Sequence, residues 1–307
     1  MSKVSLGIDH PVVTVRDLAR AREQYRRLGF APNPVGFHPW GTTLSLLMFK
    51  DNFIELISVS DSSKFGSHSG GFCYGRNVSR FLERVEGLGL VALHSKDGRR
   101  DHARLVAQGL KSQGLIDFRR ELKKPDGSPD EAVVTLGLFL NEEQRDVSQF
   151  ICHQHRPDLV WMPEWQHHPN GVEAVSAVTY LAENPLDLLP RFLAFYGDVA
   201  YSNELLEVDT GCGTLRAVSP VRARQMFGDV PLPDWGADPA PHGIAISVST
   251  PLFSQLESLW VVHGIKCQES PSGSLLVPPQ HCGNVLLEFV RSPPTKPKAR
   301  HRPETKL

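Results

Sequence analysis

The chain repeats one order of secondary structure four times, and this repeat constrains its fold more than any other feature. Each copy is predicted to contain a strand, a helix and then three more strands. The copies open with the segments IDHPVVTV (8–15), LGLVALHS (88–95), VEAVSAVTYL (172–181) and HGIAISVS (242–249). Because no helix separates the last three strands of a copy, the pattern favours curved mixed or antiparallel sheets over a doubly wound parallel sheet.

The first copy shows the signals that define a unit. Asp17 lies where a helix N-cap belongs, the helical segment LARAREQYRRLGF follows, and Gly29 is placed to end the helix. The strands TTLSLLMF and NFIELISV come next, separated by a turn at residues 50–52. In the third copy, the segment VRARQMF (221–227) is interpreted as a further strand.

We therefore predict an α+β protein of four βαβββ units that pair into two domains. The joint RPDLVWMPEWQHHPNG (156–171) is rich in proline and ends in an Asn-Gly turn, which predicts a boundary near residue 165. The predicted domains are residues 1–165 and 166–292, followed by a flexible basic tail at 293–307. The sequence leaves open whether units pair within one chain or between chains, so a homodimer is one of the expected arrangements.

Composition excludes several classes of function. A formal net charge of −1 creates no field that would attract nucleic acid or an acidic membrane, and no apolar run is long enough to span a bilayer. Residues 1–10 lack the apolar core of a signal peptide, so we expect a cytoplasmic protein. The five cysteines are odd in number and form no CxxC pair, which argues against a disulfide framework and a zinc finger. The expected partner is a small-molecule substrate or ligand.

A histidine at the start of a unit and a glutamate near its end are the leading candidates for chemistry. Glu55 lies between apolar neighbours in FIELI, where an unpaired buried carboxylate would be strongly unfavourable. A metal ion held by His10 and Glu55 would remove that penalty, and a solvent-facing glutamate is the alternative interpretation. His242 and Glu288 repeat the pair in the last unit at nearly the same separation along the chain.

Two ligands from one unit would require a third ligand from elsewhere. His153 and His155 end a closing strand in CHQH, and they are the favoured additional ligands for a divalent Fe, Mn, Zn or Ni ion. His38, in FHPWGT, is a candidate to line the same cavity and to donate a proton. A turn histidine bonded to the backbone is the alternative interpretation of His38.

Several of these segments together resemble a known family. DHPVVTVRDLARAREQYRRLGF, HPWGT, FIEL, CHQHRPDLVWMPEW and HHPNG resemble the glyoxalase-like domain proteins of the vicinal oxygen chelate superfamily, over about residues 5–170 and more weakly over 171–292. The resemblance implies glyoxalase/bleomycin-resistance/dioxygenase-like domains in which paired βαβββ units enclose a metal-binding cavity. It also implies that the pairs His10 with Glu55 and His242 with Glu288 occupy the ligand positions on the first and fourth strands.

The resemblance implies a divalent-metal-dependent lyase or isomerase that acts on a small oxygenated substrate. The metal would bind neighbouring oxygens of the substrate and stabilise an enediolate, while Glu55 or His38 moves the proton. A non-haem Fe(II) extradiol-type dioxygenase and a metal-free small-molecule-binding protein are the alternatives.

The second and third units depart from the family pattern. Leu90 stands where the histidine of the second unit is expected, and Ser176 or Ala177 stands at that position in the third unit. Cys152 or His153 is expected to replace the glutamate of the second unit. Neither pair of units therefore carries a regular, complete set of ligands.

Overall fold

Two eight-stranded sheets build the protein in a computed structural model, which describes residues 6–66, 71–236 and 238–293. The first unit contains β1 (Ile8–Thr14), α1 (Leu18–Arg27), β2 (Gly36–Phe37), β3 (Thr42–Met48) and β4 (Phe53–Val59), and α2 (Tyr74–Arg84) follows it. The second unit contains β5 (Gly87–His94), α3 (Gly98–Ala107), β6 (Gly114–Lys123), β7 (Pro129–Phe139) and β8 (Gln149–Gln154).

The C-terminal part of the chain repeats this order of elements. The third unit contains β9 (Ala174–Leu181), α4 (Leu189–Tyr196), β10 (Ala200–Tyr201), β11 (Leu205–Asp209) and β12 (Thr214–Val218), and α5 (Pro220–Phe227) follows it. The fourth unit contains β13 (His242–Thr250), α6 (Leu256–Val261), β14 (Gln268–Glu269), β15 (Leu275–Val277) and β16 (Leu286–Arg291).

The two sheets have the same topology. The strand order is β2-β3-β4-β1-β5-β8-β7-β6 in the first sheet and β10-β11-β12-β9-β13-β16-β15-β14 in the second. The first strands of two units run antiparallel at the centre of each sheet, and each also pairs in parallel with the last strand of its own unit. The units thus pair within one chain, and the predicted α+β class with four βαβββ units in two domains is confirmed.

A β-bulge interrupts the central strand pair of both sheets at the same place. The register of β1 against β5 shifts at Asp9, and the register of β13 against β9 shifts at Ile244. A bulge adds one residue to one strand and re-aims the side chains next to it. Counting from the two bulges, Ala245 of β13 corresponds to His10 of β1.

A helix outside the repeat covers one face of each sheet. Tyr74 and Val78 of α2 belong to a buried cluster with side chains of the first sheet. Ala223 and Phe227 of α5 belong to the equivalent cluster of the second sheet. These two faces are where the paired units could enclose a ligand.

The prediction of a strand at residues 221–227 is wrong, because the segment forms helix α5. Ser219 accepts a hydrogen bond from the backbone N–H of Arg222 and so caps the helix, and Pro220 occupies its first position. These local signals outweigh the weak strand pattern of the segment.

A continuous hydrophobic core joins the two sheets and contains buried side chains from both. The Tyr25 hydroxyl in α1 donates a hydrogen bond to the Cys282 carbonyl over 3.2 Å. Nε1–H of Trp260 in α6 donates to the Leu28 carbonyl over 3.1 Å. The polar groups of these large buried side chains are therefore satisfied across the boundary between the two halves.

The last strand of the first sheet ends at Gln154 and the first strand of the second begins at Ala174. The placement of a domain boundary between residues 165 and 166 stays a prediction. The predicted basic tail lies, from residue 294 onward, outside the described residues. None of the helices within the described ranges has the length and apolar character that a bilayer-spanning helix needs.

Asn52 links the two sheets through both atoms of its side-chain amide, which donates to the Val175 carbonyl over 2.9 Å and accepts from the Val175 N–H over 2.8 Å. We predict that Asn52→Ala lowers the free energy of unfolding by about 2–4 kcal/mol, because two buried backbone groups lose their partners. Urea denaturation followed by tryptophan fluorescence measures this change. Asn203→Ala, in an exposed turn, is the matched control. Equal urea midpoints for the two variants would contradict this link.

Candidate active site

A cavity of about 50 Å³ lies on the covered face of the first sheet. Nine of its sixteen lining residues are apolar and seven are polar or ionisable, and small-molecule sites combine both kinds of side chain. The polar or ionisable lining residues are His10, His38, Glu55, Tyr74, Arg120, Cys152 and Gln154. The sequence predicted three of these seven as site residues.

His10 and Glu55 are brought together by strand pairing. Their strands, β1 and β4, run parallel with Val12 opposite Glu55, which places both side chains on the same face of the sheet. His10 Nε2 lies 3.3 Å from Glu55 Oε2, and both residues are buried. The His10 ring stacks on Phe53 with 4.2 Å between ring centroids. The predicted His10–Glu55 pair is therefore a rigid element of the cavity wall.

Asp9 holds the other side of the His10 ring. Its Oδ1 lies 2.6 Å from His10 Nδ1, and the aspartate has no exposed surface. Adjacent residues in a regular strand point to opposite faces, so this contact depends on the β-bulge at Asp9. Sequence reasoning missed Asp9 because it assumed regular alternation.

His94, at the end of β5, is the second partner of Asp9. Its Nδ1 lies 2.7 Å from Asp9 Oδ2, although this oxygen has no hydrogen bond of good geometry, and its Nε2 lies 2.8 Å from the Asp51 carbonyl. The His94 side chain is 30% exposed and faces an outer cleft of about 940 Å³. A continuous chain of polar groups thus runs from Glu55 through His10 and Asp9 to the outside.

The charges in this chain of groups alternate in sign. Burial opposes ionisation, but the two imidazoles still lower the pKa of Asp9 to about 2. Asp9 and Glu55 raise the pKa of His10 to about 9 against the effect of burial, and Asp9 raises that of His94 to about 10. At neutral pH both imidazoles are therefore cations beside carboxylates.

One carboxylate oxygen of Glu55 has no hydrogen-bond donor among the described residues. Burial raises its pKa, but hydrogen bonding and charge interaction with His10 lower it further, so the net shift is downward and the carboxylate is ionised. Its Oε1 is buried and accepts no hydrogen bond from the described residues. A buried, unpartnered carboxylate oxygen is unfavourable unless a ligand supplies a donor or a proton.

His38 also lines the cavity, as predicted. Its Nδ1 lies 2.9 Å from the Thr42 hydroxyl, and its ring stacks on Trp40 with 4.8 Å between centroids. Burial lowers the pKa of His38 to about 4, so its imidazole is neutral at physiological pH. A neutral imidazole can donate or accept one hydrogen bond but is a weak base here.

Arg120 on β6 is the second functional candidate that the sequence did not reveal. It stands in RRELKK, which has the pattern of an exposed strand. The structure instead places its side chain at the wall of the cavity. Burial lowers the pKa of its guanidinium, and the charge of Glu55 opposes that shift. Arg120 is therefore a cation close to Glu55 in the site.

His153 and His155 do not join His10 and Glu55. Alternation along β8 directs Cys152 and Gln154 into the cavity and the two histidines to the opposite face. His153 Nδ1 accepts from the Gly98 N–H of α3 over 3.3 Å, and His155 Nε2 lies 2.9 Å from the Thr135 hydroxyl. The expectation that one of them completes a metal site with His10 is corrected by this geometry.

His242 and Glu288 are likewise kept apart. Glu288 pairs with Ser247 across β13 and β16, so His242 lies five residues, or roughly 16 Å, further along the strand. His242 stacks on Trp235 with 4.7 Å between ring centroids. Glu288 accepts hydrogen bonds from the Ser247 hydroxyl over 2.5 Å and the Ser274 hydroxyl over 2.7 Å. The predicted second pair therefore does not form. The chain between paired residues of β13 and β16 is two residues shorter than that between β1 and β4, so a similar separation along the chain does not give the same position on the strand.

The second unit contributes apolar side chains at the positions that correspond to His10 and Glu55. Strand pairing places Leu90 at the first position, as expected, and Phe150 at the second, where Cys152 or His153 was expected. Phe150 contacts the His10 ring edge to face, with 5.6 Å between ring centroids. At this pair of equivalent positions the first unit is therefore polar and the second unit is apolar.

A divalent metal ion does not fit the donor groups of this cavity. His10 and Glu55 are at a suitable separation, and a carboxylate such as Asp9 commonly supports a metal-bound histidine. However, no group of three or more His, Cys, Asp or Glu side chains in residues 6–66, 71–236 and 238–293 is arranged to hold a metal. The His10 imidazolium instead supplies the positive charge between the two carboxylates.

Comparison with known proteins agrees with this architecture. A family profile described as Glyoxalase-like domain matches residues 8–194. A search of curated proteins gave no significant match.

Similar solved structures share the fold at low sequence identity. A hypothetical protein from Staphylococcus aureus is 11% identical with a TM-score of 0.64, and the alignment covers 93% of this chain and 99% of that one. A mutant of 4-hydroxymandelate synthase from Streptomyces coelicolor is 10% identical with a TM-score of 0.55, covering 94% and 92%. A Mn(II)-bound glyoxalase from Novosphingobium aromaticivorans is 10% identical with a TM-score of 0.53, covering 95% and 83%. At these identities the likeness supports the fold alone.

The pKa shifts predict how stability depends on pH. His10 and His94 keep their protons in the folded state up to about pH 9 and 10, whereas the unfolded state loses them near 6.5. Their stabilisation is therefore complete below about pH 6.5 and is lost as the pH rises through 9 to 10. Over this window we expect the free energy of unfolding to fall by on the order of 1–3 kcal/mol.

Asp9→Asn should flatten this pH dependence, because it removes the carboxylate that holds both imidazolium ions. Urea denaturation at several pH values between 6 and 10 measures the slope. Asp229→Asn, which affects an exposed carboxylate paired with exposed Arg224, should leave the slope unchanged. A wild-type slope equal to that of Asp9→Asn would show that Asp9 does not hold the imidazoles protonated.

Proposed function

The chain belongs to the glyoxalase-like domain family of the vicinal oxygen chelate superfamily, and on that premise we propose that it is a lyase or isomerase. Its substrate would be a small oxygenated molecule that binds in the cavity of the first sheet. The observation that supports this most is the free, buried Oε1 of ionised Glu55, next to the His10 imidazolium.

The reaction that suits this arrangement is proton abstraction from carbon next to a carbonyl group. Glu55 Oε1 forms the new O–H bond as the substrate C–H bond breaks, and the electron pair moves onto the carbonyl oxygen to give an enediolate or enolate. For a 2-hydroxy carbonyl substrate, return of this proton to the neighbouring carbon, with transfer of the hydroxyl proton to the other oxygen, gives the isomer. A positioned carboxylate base of this kind contributes about 10²–10⁴-fold to a rate.

His10 and Asp9 position the base in this proposal. The imidazolium fixes Glu55 Oε2, and its positive charge stabilises the negative charge that develops on the substrate. Asp9 keeps the ring oriented and protonated through the 2.6 Å contact to Nδ1. His38, which is neutral, is suited to hydrogen bonding with a substrate oxygen rather than to taking the proton.

The metal-dependent form of the reaction, with Fe, Mn, Zn or Ni, lacks a complete set of protein ligands in the described residues, so we write no step through a metal. The same shortage of ligands removes support for a non-haem Fe(II) dioxygenase. A metal-free binding protein is the second candidate. It is favoured because the second unit has the apolar side chains Leu90 and Phe150 at the positions that correspond to His10 and Glu55.

Exchange of substrate hydrogen for deuterium tests the proposal without knowledge of the product. The protein, dialysed against EDTA, is incubated in D₂O with a panel of α-oxoaldehydes, α-hydroxyketones and 2-oxo acids, and proton NMR follows the loss of C–H signals. We predict exchange of at least one class by the wild type and a loss of about 10²-fold or more in Glu55→Gln.

Glu288→Gln is the matched control, because Glu288 occupies the corresponding strand position in the second sheet. This variant should keep wild-type exchange. Activity that appears only after a divalent metal is restored would replace the proposal with the metal-dependent form. No exchange of any class would leave the binding protein as the supported function.

A further inference from the structure

We infer that Arg120 binds an anionic group of the substrate, and that the cavity selects a small carboxylic acid. This inference rests on the proposed function, since it assigns the chemical class of the molecule that reaches Glu55. The supporting observation is that the Arg120 side chain lies at the cavity wall and forms no hydrogen bond or ion pair within the part of the chain that the structure describes.

No hydrogen bond or ion pair joins the Arg120 side chain to any of the described residues, although it lies close enough to Glu55 for their charges to interact. A guanidinium carries five N–H donors and stays charged at physiological pH. A guanidinium at a cavity wall is therefore suited to bind an acceptor that enters the cavity, and a carboxylate is the acceptor whose geometry it matches.

Three other arginines show the pairing that Arg120 lacks within the described part of the chain. Arg191, which is also largely buried, donates to the Gln149 side chain over 2.6 Å and to the Phe139 carbonyl. Arg84 forms a bidentate ion pair with buried Asp146, in which Nη2 donates to Oδ1 over 2.7 Å. Arg119, next to Arg120 on β6, pairs with Glu131 over 2.6 Å. Arg120 differs from these three arginines in that it lines the cavity and has no side-chain partner among the described residues.

The backbone beside the cavity leaves room for the Arg120 guanidinium. Gly36 on β2 lies so close that a Cβ at this position would approach Arg120 Nη1 to 2.8 Å. The backbone of Gly36 does not need a positive φ, and the absence of a side chain here leaves space that the Arg120 guanidinium occupies.

A monocarboxylate fits the charge and size of the site better than a phosphate. A guanidinium binds a carboxylate through two parallel N–H···O bonds. The nearby negative charge of Glu55 disfavours a dianion. The cavity of about 50 Å³ has room for roughly three water molecules or a ligand of a few heavy atoms. Short 2-oxo and 2-hydroxy acids satisfy these conditions and carry the neighbouring oxygens that the proposed reaction needs.

Binding of pyruvate, its neutral amide pyruvamide and inorganic phosphate tests this inference by isothermal titration calorimetry. We expect the wild type to bind pyruvate at least about tenfold more tightly than either of the other two probes. Arg120→Met should lose this preference, whereas Arg119→Met should keep it. Absence of pyruvate binding at millimolar concentration, equal binding in Arg120→Met, or tighter binding of phosphate would each overturn the inference.

Thermal unfolding without ligand distinguishes a ligand-binding arginine from a structural one. Arg120→Met should unfold at the same temperature as the wild type or higher, because it removes an unpaired, partly buried charge. A fall of several degrees would assign Arg120 a structural role and contradict the inference.

The variant Glu55→Gln distinguishes binding of the carboxylate by Arg120 from proton abstraction by Glu55. This variant should still bind pyruvate, as tightly as the wild type or more so, because Arg120 is retained and a nearby negative charge is removed. Binding by Glu55→Gln together with no deuterium exchange by the wild type would overturn the proposed reaction and preserve the carboxylate site. Loss of pyruvate binding in Glu55→Gln would overturn the assignment of Arg120 as the main anchor.

Discussion

A protonated imidazole between two buried carboxylates is the interaction on which the candidate site depends. Asp9 and Glu55 would each be strongly destabilising alone inside the first sheet, and the His10 cation offsets both. His94 neutralises the remaining charge of Asp9 and connects it to the outer cleft. The site therefore keeps an ionised base in an apolar cavity without a complete set of metal ligands.

The second sheet has the same topology but, within its described residues, lacks a histidine between two carboxylates. It repeats the topology and the bulge, but Ala245 stands where the first sheet has His10 and Ile244 where it has Asp9. The one glutamate that is retained, Glu288, has both carboxylate oxygens bound to serine hydroxyls. The repeat thus places a carboxylate in both sheets, and only the first sheet gives it a cation and a free oxygen.

The sequence predicted the four units well because hydrophobic periodicity and helix signals are local. It also predicted His10 and Glu55, since an apolar-flanked glutamate repeated in two units is an unusual pattern. It missed Asp9 because no local pattern marks the bulge that turns this side chain toward His10, and it paired His242 with Glu288 because separation along the chain does not give the register of strand pairing. These features depend on contacts between distant strands, which local patterns do not encode.

The protonation state of the His10 ring tests this account most directly. In protein labelled with ¹⁵N-histidine, NMR assigns the His10 ring by comparison with His10→Gln and reports whether each ring nitrogen carries a proton. We predict that both nitrogens are protonated at pH 8 and that the ring titrates with a pKa of about 9. A neutral tautomer at pH 8, or a ring nitrogen whose signal shifts on addition of a divalent metal as expected for coordination, would contradict it.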